Sequence, residues 1–284
     1  MPRPTPVIFD RKLLRVRRAR AAKRGPATFL IERTAADLGD RLDAVLRRFD
    51  LAADIGTPTE AVRRVLMQRV GRVAEIVADE EALPFRDGSL DLVVSALGLQ
   101  FVNDLPGALV QIRRALKPDG LFIAALIGGD SLHELREAFA AAEAETEGGV
   151  SPRVAPFADL RNLGALLQRA GFALPVTDVD RLTVRYASPL ALMHDLRRMG
   201  AANALVERRR TPLRRATLRR MVEIYGERFA DADGRLRATF EIVWLSGWAP
   251  HPSQQKPLAP GSAQTRLADA LGTTEISTGE KTGR

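Results

Sequence analysis

The chain has 284 residues, with 43 Lys and Arg against 35 Asp and Glu, three His and no Cys. The lack of cysteine excludes disulfides, thiolate metal sites, cysteine-ligated iron–sulfur clusters and a cysteine nucleophile, and His133, His194 and His251 are too few for an all-His site, so no metal is expected. A hydrophobic fraction of 45% supports a real core, while no apolar run approaches the ~20 residues of a membrane span.

The formal charge of +8 resides in residues 1–48, which hold 13 basic and 5 acidic side chains, and the remainder sums to zero. Residues 1–48 therefore read as a basic N-terminal helical segment ahead of a neutral body. Residues 11–24 carry eight basic side chains and no acid. They read as a solvated amphipathic helix with Leu13, Leu14 and Val16 against the body. A nucleic-acid or anionic-membrane arm and an Arg-rich transit peptide are the alternatives. Asp10 and the prolines Pro2, Pro4 and Pro6 weigh against a transit peptide. No apolar h-region follows the charges, as a secretory signal would require, and the expected location is cytoplasmic.

From Leu51 onward strands alternate with helices. Residues 51–55 read as a short first strand ending at Gly56, and 59–69 as a helix with Ala61, Val62, Val65 and Leu66 on one face. A second strand over 72–78 runs into Asp79, Glu80 and Glu81, and a third follows at 90–95. Asp104 is placed to cap a helix over 104–117, which Pro118–Asp119–Gly120 stops. Residues 121–127 are continuously apolar, as in a strand buried on both faces. A helix over about 130–145 follows.

The later pattern predicts a helix over 159–170 closed by Gly171 and a strand within 173–186. A mostly helical insertion over 189–230 comes next, then a last strand over 237–247. The whole describes an α/β domain over 49–248 with a mostly parallel sheet, its late strand pair at one edge under a helical lid. Residues 249–284, rich in Pro, Gly and Ser, read as a tail without order from about 262. Ligands of such sheets sit outside the carboxyl ends of the strands, which nominates 54–59, 79–81, 95–100 and 128–130.

Four stretches carry a family resemblance: IFDRKLLRVRRARAA (8–22), AADIG (52–56), the long run from ADEEALPF to HELREAF (78–139), and EGGVSPRVAPFADLRNLGALLQRAGF (147–172). Together they resemble the class I, Rossmann-like S-adenosylmethionine-dependent methyltransferases over about residues 7–250. Within that family the chain is similar to the biotin-synthesis type and, more closely, to the mitochondrial complex I assembly factor five group. The resemblance implies S-adenosylmethionine as cofactor and a small molecule or protein side chain as substrate. Its alternative implication is a degenerate methyltransferase fold acting as an assembly factor for respiratory complex I, by binding a subunit or hydroxylating one of its arginines. It also makes the basic opening part of the folded protein.

A class I site needs a glycine turn after strand one, where the backbone can approach the ligand. It also needs an acid for the ribose hydroxyls after strand two and a polar group for the adenine after strand three. Related enzymes carry an acid followed by Gly-x-Gly-x-Gly. Here the run Asp54–Ile55–Gly56–Thr57–Pro58–Thr59 keeps one glycine and inserts a proline, which fixes φ and removes a donor. Only 24 residues (55–78) separate Asp54 from Asp79, whereas two αβ units of ~11-residue helices and ~5-residue strands need more than about 35 with loops. One αβ unit is therefore expected to be missing, which shortens the cofactor-binding half. Candidate cofactor contacts are Asp54, Gly56, Asp79, Glu80, Ser95 and Leu99.

No catalytic constellation is legible, and class I methyltransferases often need none, because the sulfonium is an activated donor and positioning supplies the rate. His133, with Asp130 and Glu137, reads as a solvated first turn rather than a metal set. The basic run Arg208–Arg210, Arg214, Arg215, Arg219 and Arg220 reads as a solvated helical face, with docking of an acidic protein segment as the alternative. Aromatic residues are 5% of the chain and do not interleave with the basic ones, which argues against a nucleic-acid stacking platform.

Overall fold

β3 (Leu90–Ala96) is buried at every position, Asp91 and Ser95 included, and β4 (Leu116–Ile127) is buried along nearly all of its second half. Such strands are stable only where helices cover both faces of the sheet, and this dictates the centre of the molecule. The structure is a computed structural model that describes residues 6–74, 79–157, 160–255, 262 and 267–274. Met1–Pro250 form one compact unit and His251–Arg284 a second.

The sheet in the first unit has the order β2-β1-β3-β4-β6-β5, with β1 at Phe49–Asp54, β2 at Val70–Ala74, β5 at Ala173–Tyr186 and β6 at Leu236–Trp248. β2, β1, β3 and β4 run parallel. β6 lies antiparallel to both β4 and β5, in the register Ala125↔Trp244 and Asp178↔Trp244. Between β1 and Asp79 the described residues hold a single αβ unit, α3 (Ala61–Met67) and β2. β2 is the edge of the sheet, so the shortened half predicted from the 24-residue spacing is present. Residues 75–78 of the predicted second strand lie outside the described residues.

Side chains of successive strand residues point to opposite faces, and the two cores divide accordingly. Leu92, Val94 and Ala96 join Leu121, Ile123 and Trp244 in one cluster with α2 (Phe29–Asp43), α3, α5 (His133–Glu147), α7 (Pro189–Arg198) and α8 (Arg215–Phe229). Val93, Phe122, Ala124 and Val243 pack on the other face against α4 (Leu105–Ala115) and α6 (Leu160–Arg169). Asp104 caps α4, its carboxylate accepting the Gly107 N–H at 2.9 Å, and Gly171 (φ +84°) follows α6. The inserted α7 and α8 lie between β5 and β6 in the chain, as the lid reading requires.

Several boundaries differ from expectation. α4 ends at Ala115, so Lys117 and Pro118 belong to the start of β4. α5 starts only at His133, because Leu132 adopts a left-handed backbone (φ +56°), and it runs to Glu147. Residues 199–214 are not helical, so Arg208–Arg210 lie in a connection rather than on a helical face. In the second unit Leu267–Leu271 form one short helix, α9, although order was not expected beyond 262; most of that tail lies outside the described residues. No described helix is long and apolar enough to cross a membrane.

The largest correction concerns α1 (Arg11–Lys23). It is a helix, but Val16 is exposed, and its buried residues are Leu14 and Ala21. A helix brings positions three, four and seven apart onto one face. Arg11, Arg15 and Arg18 therefore share the inward stripe with Leu14 and Ala21. Of the basic side chains expected to face solvent, Arg11 and Arg18 are turned toward the body and Arg15 reaches Asp79 from an exposed position; Lys12, Arg20, Lys23 and Arg24 stay exposed, as expected.

Candidate functional site

At the carboxyl ends of β1 and β3 two loops touch backbone to backbone. A Cβ on Gly98 would lie 2.5 Å from the Gly56 carbonyl oxygen, and one on Gly56 (φ +71°) would lie 2.7 Å from Glu80 Oε1. Both positions therefore exclude a side chain. Ile55 N–H donates to the Val94 carbonyl at 2.8 Å, and Ala96 N–H donates to Thr57 Oγ1 at 3.1 Å. Thr57 in turn donates to the Asp54 carboxylate. This stitching holds the turn despite Pro58. Burial pushes the Asp54 carboxyl up to about 7, outweighing the Thr57 hydrogen bond, with the charge of Glu60 adding to the rise.

Asp54, Gly56, Thr57, Glu60, Val73 and Glu80 line one side of a groove of about 690 Å³, and Arg11, Leu14, Arg15 and Arg18 of α1 line the other. Arg11 bonds to Asp79 and to Glu80 and lies 3.1 Å from Glu81 Oε2. Arg15 donates to Asp79 Oδ2 at 2.6 Å, and Arg18 Nη1 lies 3.7 Å from Glu80 Oε1. Burial alone would raise the Asp79 carboxyl, but the Glu81 N–H and the guanidinium groups of Arg11 and Arg15 hold it below the usual carboxylate range. For Arg18 burial wins over the attraction of Glu80, and its basicity is lowered. Glu81 also accepts the Asn103 N–H at 2.5 Å. Asn103 Oδ1 accepts the N–H groups of Ile8 and Phe9 at 2.8 Å each, fixing the approach to α1.

Arg18, Pro58, Thr59 and Glu60 also line a second cavity of about 410 Å³. Its walls are apolar, built from Ala21, Leu30, Leu97, Ile127, Met199 and Phe240 among others. The Arg18 guanidinium lies 5.4 Å from the centre of the Phe101 ring, so its flat face completes that wall.

Of the six predicted contacts, Asp54, Gly56 and Glu80 line the groove, and Asp79 is bound to two of its arginines. Ser95 and Leu99 are buried at 1% exposure and line neither chamber. Ser95, one residue before the end of β3, is buried in the interior, and Leu99, in the 3-10 turn Leu99–Phe101, packs into the core beneath α4. Leu97 and Gln100 face the apolar cavity instead. Arg11, Arg15 and Arg18 escaped the sequence reading, although their spacing in register with Leu14 and Ala21 was a usable signal. His133 is tied to the Asp130 carbonyl through Nδ1 at 3.1 Å, and the described residues hold no cluster of metal-ligand types.

The family described as methyltransferase domain matches residues 51–124. The Danio rerio protein named arginine-hydroxylase NDUFAF5, mitochondrial, is 37% identical over 286 residues, covering 92% of this chain and 89% of its own. The malonyl-(acyl-carrier protein) O-methyltransferase of Halorhodospira halophila is 34% identical over 285 residues, covering 91% and 94%. Among solved structures, a Bacillus halodurans C-125 protein described as a methyltransferase superposes with a TM-score of 0.51 at 14% identity, over 76% of this chain and 99% of that one. At that identity the likeness is one of fold.

Proposed function

The chain belongs to the methyltransferase family that includes the NDUFAF5 arginine hydroxylases and the malonyl-(acyl-carrier protein) O-methyltransferases, and on that premise we propose that its strand-end groove binds S-adenosylmethionine. The observation that carries this reading is the strand-end groove lined by Asp54, Gly56 and Glu80, where Gly56 leaves the backbone bare and the tight Gly56–Gly98 contact holds the turn in place. Gly56 would let the backbone reach the amino-acid end of the cofactor. Asp54, Asp79 and Glu80 would accept hydrogen bonds from its amino and hydroxyl groups. When bound, the cofactor supplies a methyl group activated by the sulfonium.

The methyl acceptor, a small molecule or protein side chain, enters the adjoining apolar cavity. Thr59 and Glu60 form the wall common to both chambers. This chain's contribution is to hold the acceptor against that wall and to exclude water with its aliphatic lining, which is how positioning lowers a transfer barrier.

A second reading follows from the single αβ unit between β1 and Asp79 and from the acids already held by arginines. In it the chain is a methyltransferase-fold assembly factor that binds a respiratory complex I subunit or, as the name of its relatives states, hydroxylates arginine. Calorimetric titration of the full chain with S-adenosylmethionine separates the two. Saturable heat supports the first reading, and no heat at millimolar ligand sinks it.

A further inference from the structure

Each carboxylate oxygen of Asp79 and Glu80 already faces a guanidinium. Arg11 takes Asp79 Oδ1 and Glu80 Oε2, Arg15 takes Asp79 Oδ2, and Arg18 stands opposite Glu80 Oε1. These are the acids that a nucleoside's amino and hydroxyl donors would need. Both kinds of donor compete for the same lone pairs, and the charged one forms the stronger bond. The Arg11 and Glu80 side chains are only 12% and 13% exposed, so solvent screens this contact little. Arg15 is 59% exposed, and its contribution is correspondingly small.

The helix that carries these arginines has the build of a strap. Its N-terminal end is tied by Asn103 through Ile8 and Phe9, and by the bridge between Phe9 and Leu205. Its C-terminal end passes through Gly25, at φ +78° with open space around it, where Arg198 holds the Gly25 carbonyl at 2.8 Å. Between these ties Leu14 and Ala21 are its buried residues, and Arg17 donates to the Ala202 and Asn203 carbonyls on the side away from the acids; on the groove side, charge carries much of the contact.

We propose that α1 is an electrostatic latch on the groove: Arg11, assisted by Arg18, occupies the Asp79–Glu80 acceptors in the free protein, and the nucleoside is admitted by exchanging those guanidinium bonds for its own. The latch deepens the reading of the groove as the S-adenosylmethionine site and rests on it. Exchange leaves no buried carboxylate without a partner, because ligand donors replace Arg11 as α1 lifts. Elevated salt screens the charges as they separate and so favours the open strap.

The test uses the full chain and S-adenosylhomocysteine, which lacks the sulfonium charge and so does not itself respond to salt as a cation. Arg11→Gln is expected to bind it about tenfold more tightly than the unmodified chain, the equivalent of about one charge-assisted hydrogen bond. Arg11→Lys, which keeps the charge and loses the fork, should fall between. Affinity of the unmodified chain should rise between about 0.05 and 0.5 M KCl. In the free protein, amide exchange over residues 11–23 should quicken in Arg11→Gln and with salt. Unchanged or weaker binding by Arg11→Gln overturns the latch, as does exchange over 11–23 that responds to neither change. If exchange quickens but no variant binds the ligand under any salt condition, the clasp is upheld and the cofactor reading is what fails.

Discussion

The groove and the cavity meet at Arg18, Pro58, Thr59 and Glu60 but are built on opposite principles. At the groove, Arg11, Arg15 and Arg18 face Asp79, Glu80 and Glu81, and its state depends on which donors those acids hold. The cavity has apolar walls, and its capacity depends on shape and excluded water. Charge should therefore govern entry to the first chamber, with a response to salt and pH, while the second should respond to side-chain volume.

The sharpest way to break the groove is at its backbone. Gly98→Ala places a Cβ 2.5 Å from the Gly56 carbonyl; the two loops must part, at a cost of about 2–3 kcal/mol by analogy with overpacked sites. Chemical denaturation should show that loss, and nucleoside binding should go with it. A variant as stable as the parent would mean that the loops are not held together as described.

Asp54 tests the electrostatics of the same chamber. Its folded-state pKa, near 7, lies above the ordinary value of 3.8, so the folded protein holds the proton more tightly than the unfolded chain. The associated stability is fully present below about pH 4 and is lost as pH rises through 7. The loss should be on the order of 2 kcal/mol, less than the full shift implies, because the groove admits solvent to the carboxylate. Asp54→Asn should flatten that part of the stability profile between pH 4 and 8. A profile identical to the parent's would remove Asp54 as its source.

On the apolar side, Ala27 lines the cavity. Ala27→Phe should fill it at a stability cost below about 1 kcal/mol, because the space is already there. It should cut the fluorescence of a bound anilinonaphthalene dye while leaving S-adenosylhomocysteine affinity alone. Arg11→Gln should do the reverse. If both variants change both readouts equally, the chambers are one site. The smallest effect is expected at Arg15, whose exposed pair with Asp79 is worth about 0.5 kcal/mol; Arg15→Gln should move ligand affinity far less than Arg11→Gln.

The elements were legible where the signal was local. The third strand, the continuously apolar stretch 121–127 of β4, the Asp104 cap and the Gly171 stop all appear where the pattern placed them. The 55–78 spacing foretold the single αβ unit, because helix and strand lengths set a minimum that the chain cannot meet twice. The site was legible only in part. Asp54, Gly56 and Glu80 line the groove, but Ser95 and Leu99 turn inward, since the side-chain direction at a strand end depends on the pleat and on the 3-10 turn that follows. α1 was recognised as a helix with Leu14 inward, but Arg11 and Arg18 share that side and Val16 does not: hydrophobicity alone assigned these arginines to solvent, and the acids that draw them in lie elsewhere in the chain.

The basic head frames what each level determines. Sequence by itself established that the charge of +8 is confined to residues 1–48, that the body alternates strand and helix, and that the stretch between the first strand and Asp79 is short. These are matters of composition, period and length, which need no partner. Only the tertiary structure decided that Arg11, Arg15 and Arg18 of that segment face Asp79, Glu80 and Glu81. Arg11 and Asp79 are 68 residues apart, and the sheet topology brings them together. Coulombic attraction depends on distance in space, on which the local sequence pattern is silent.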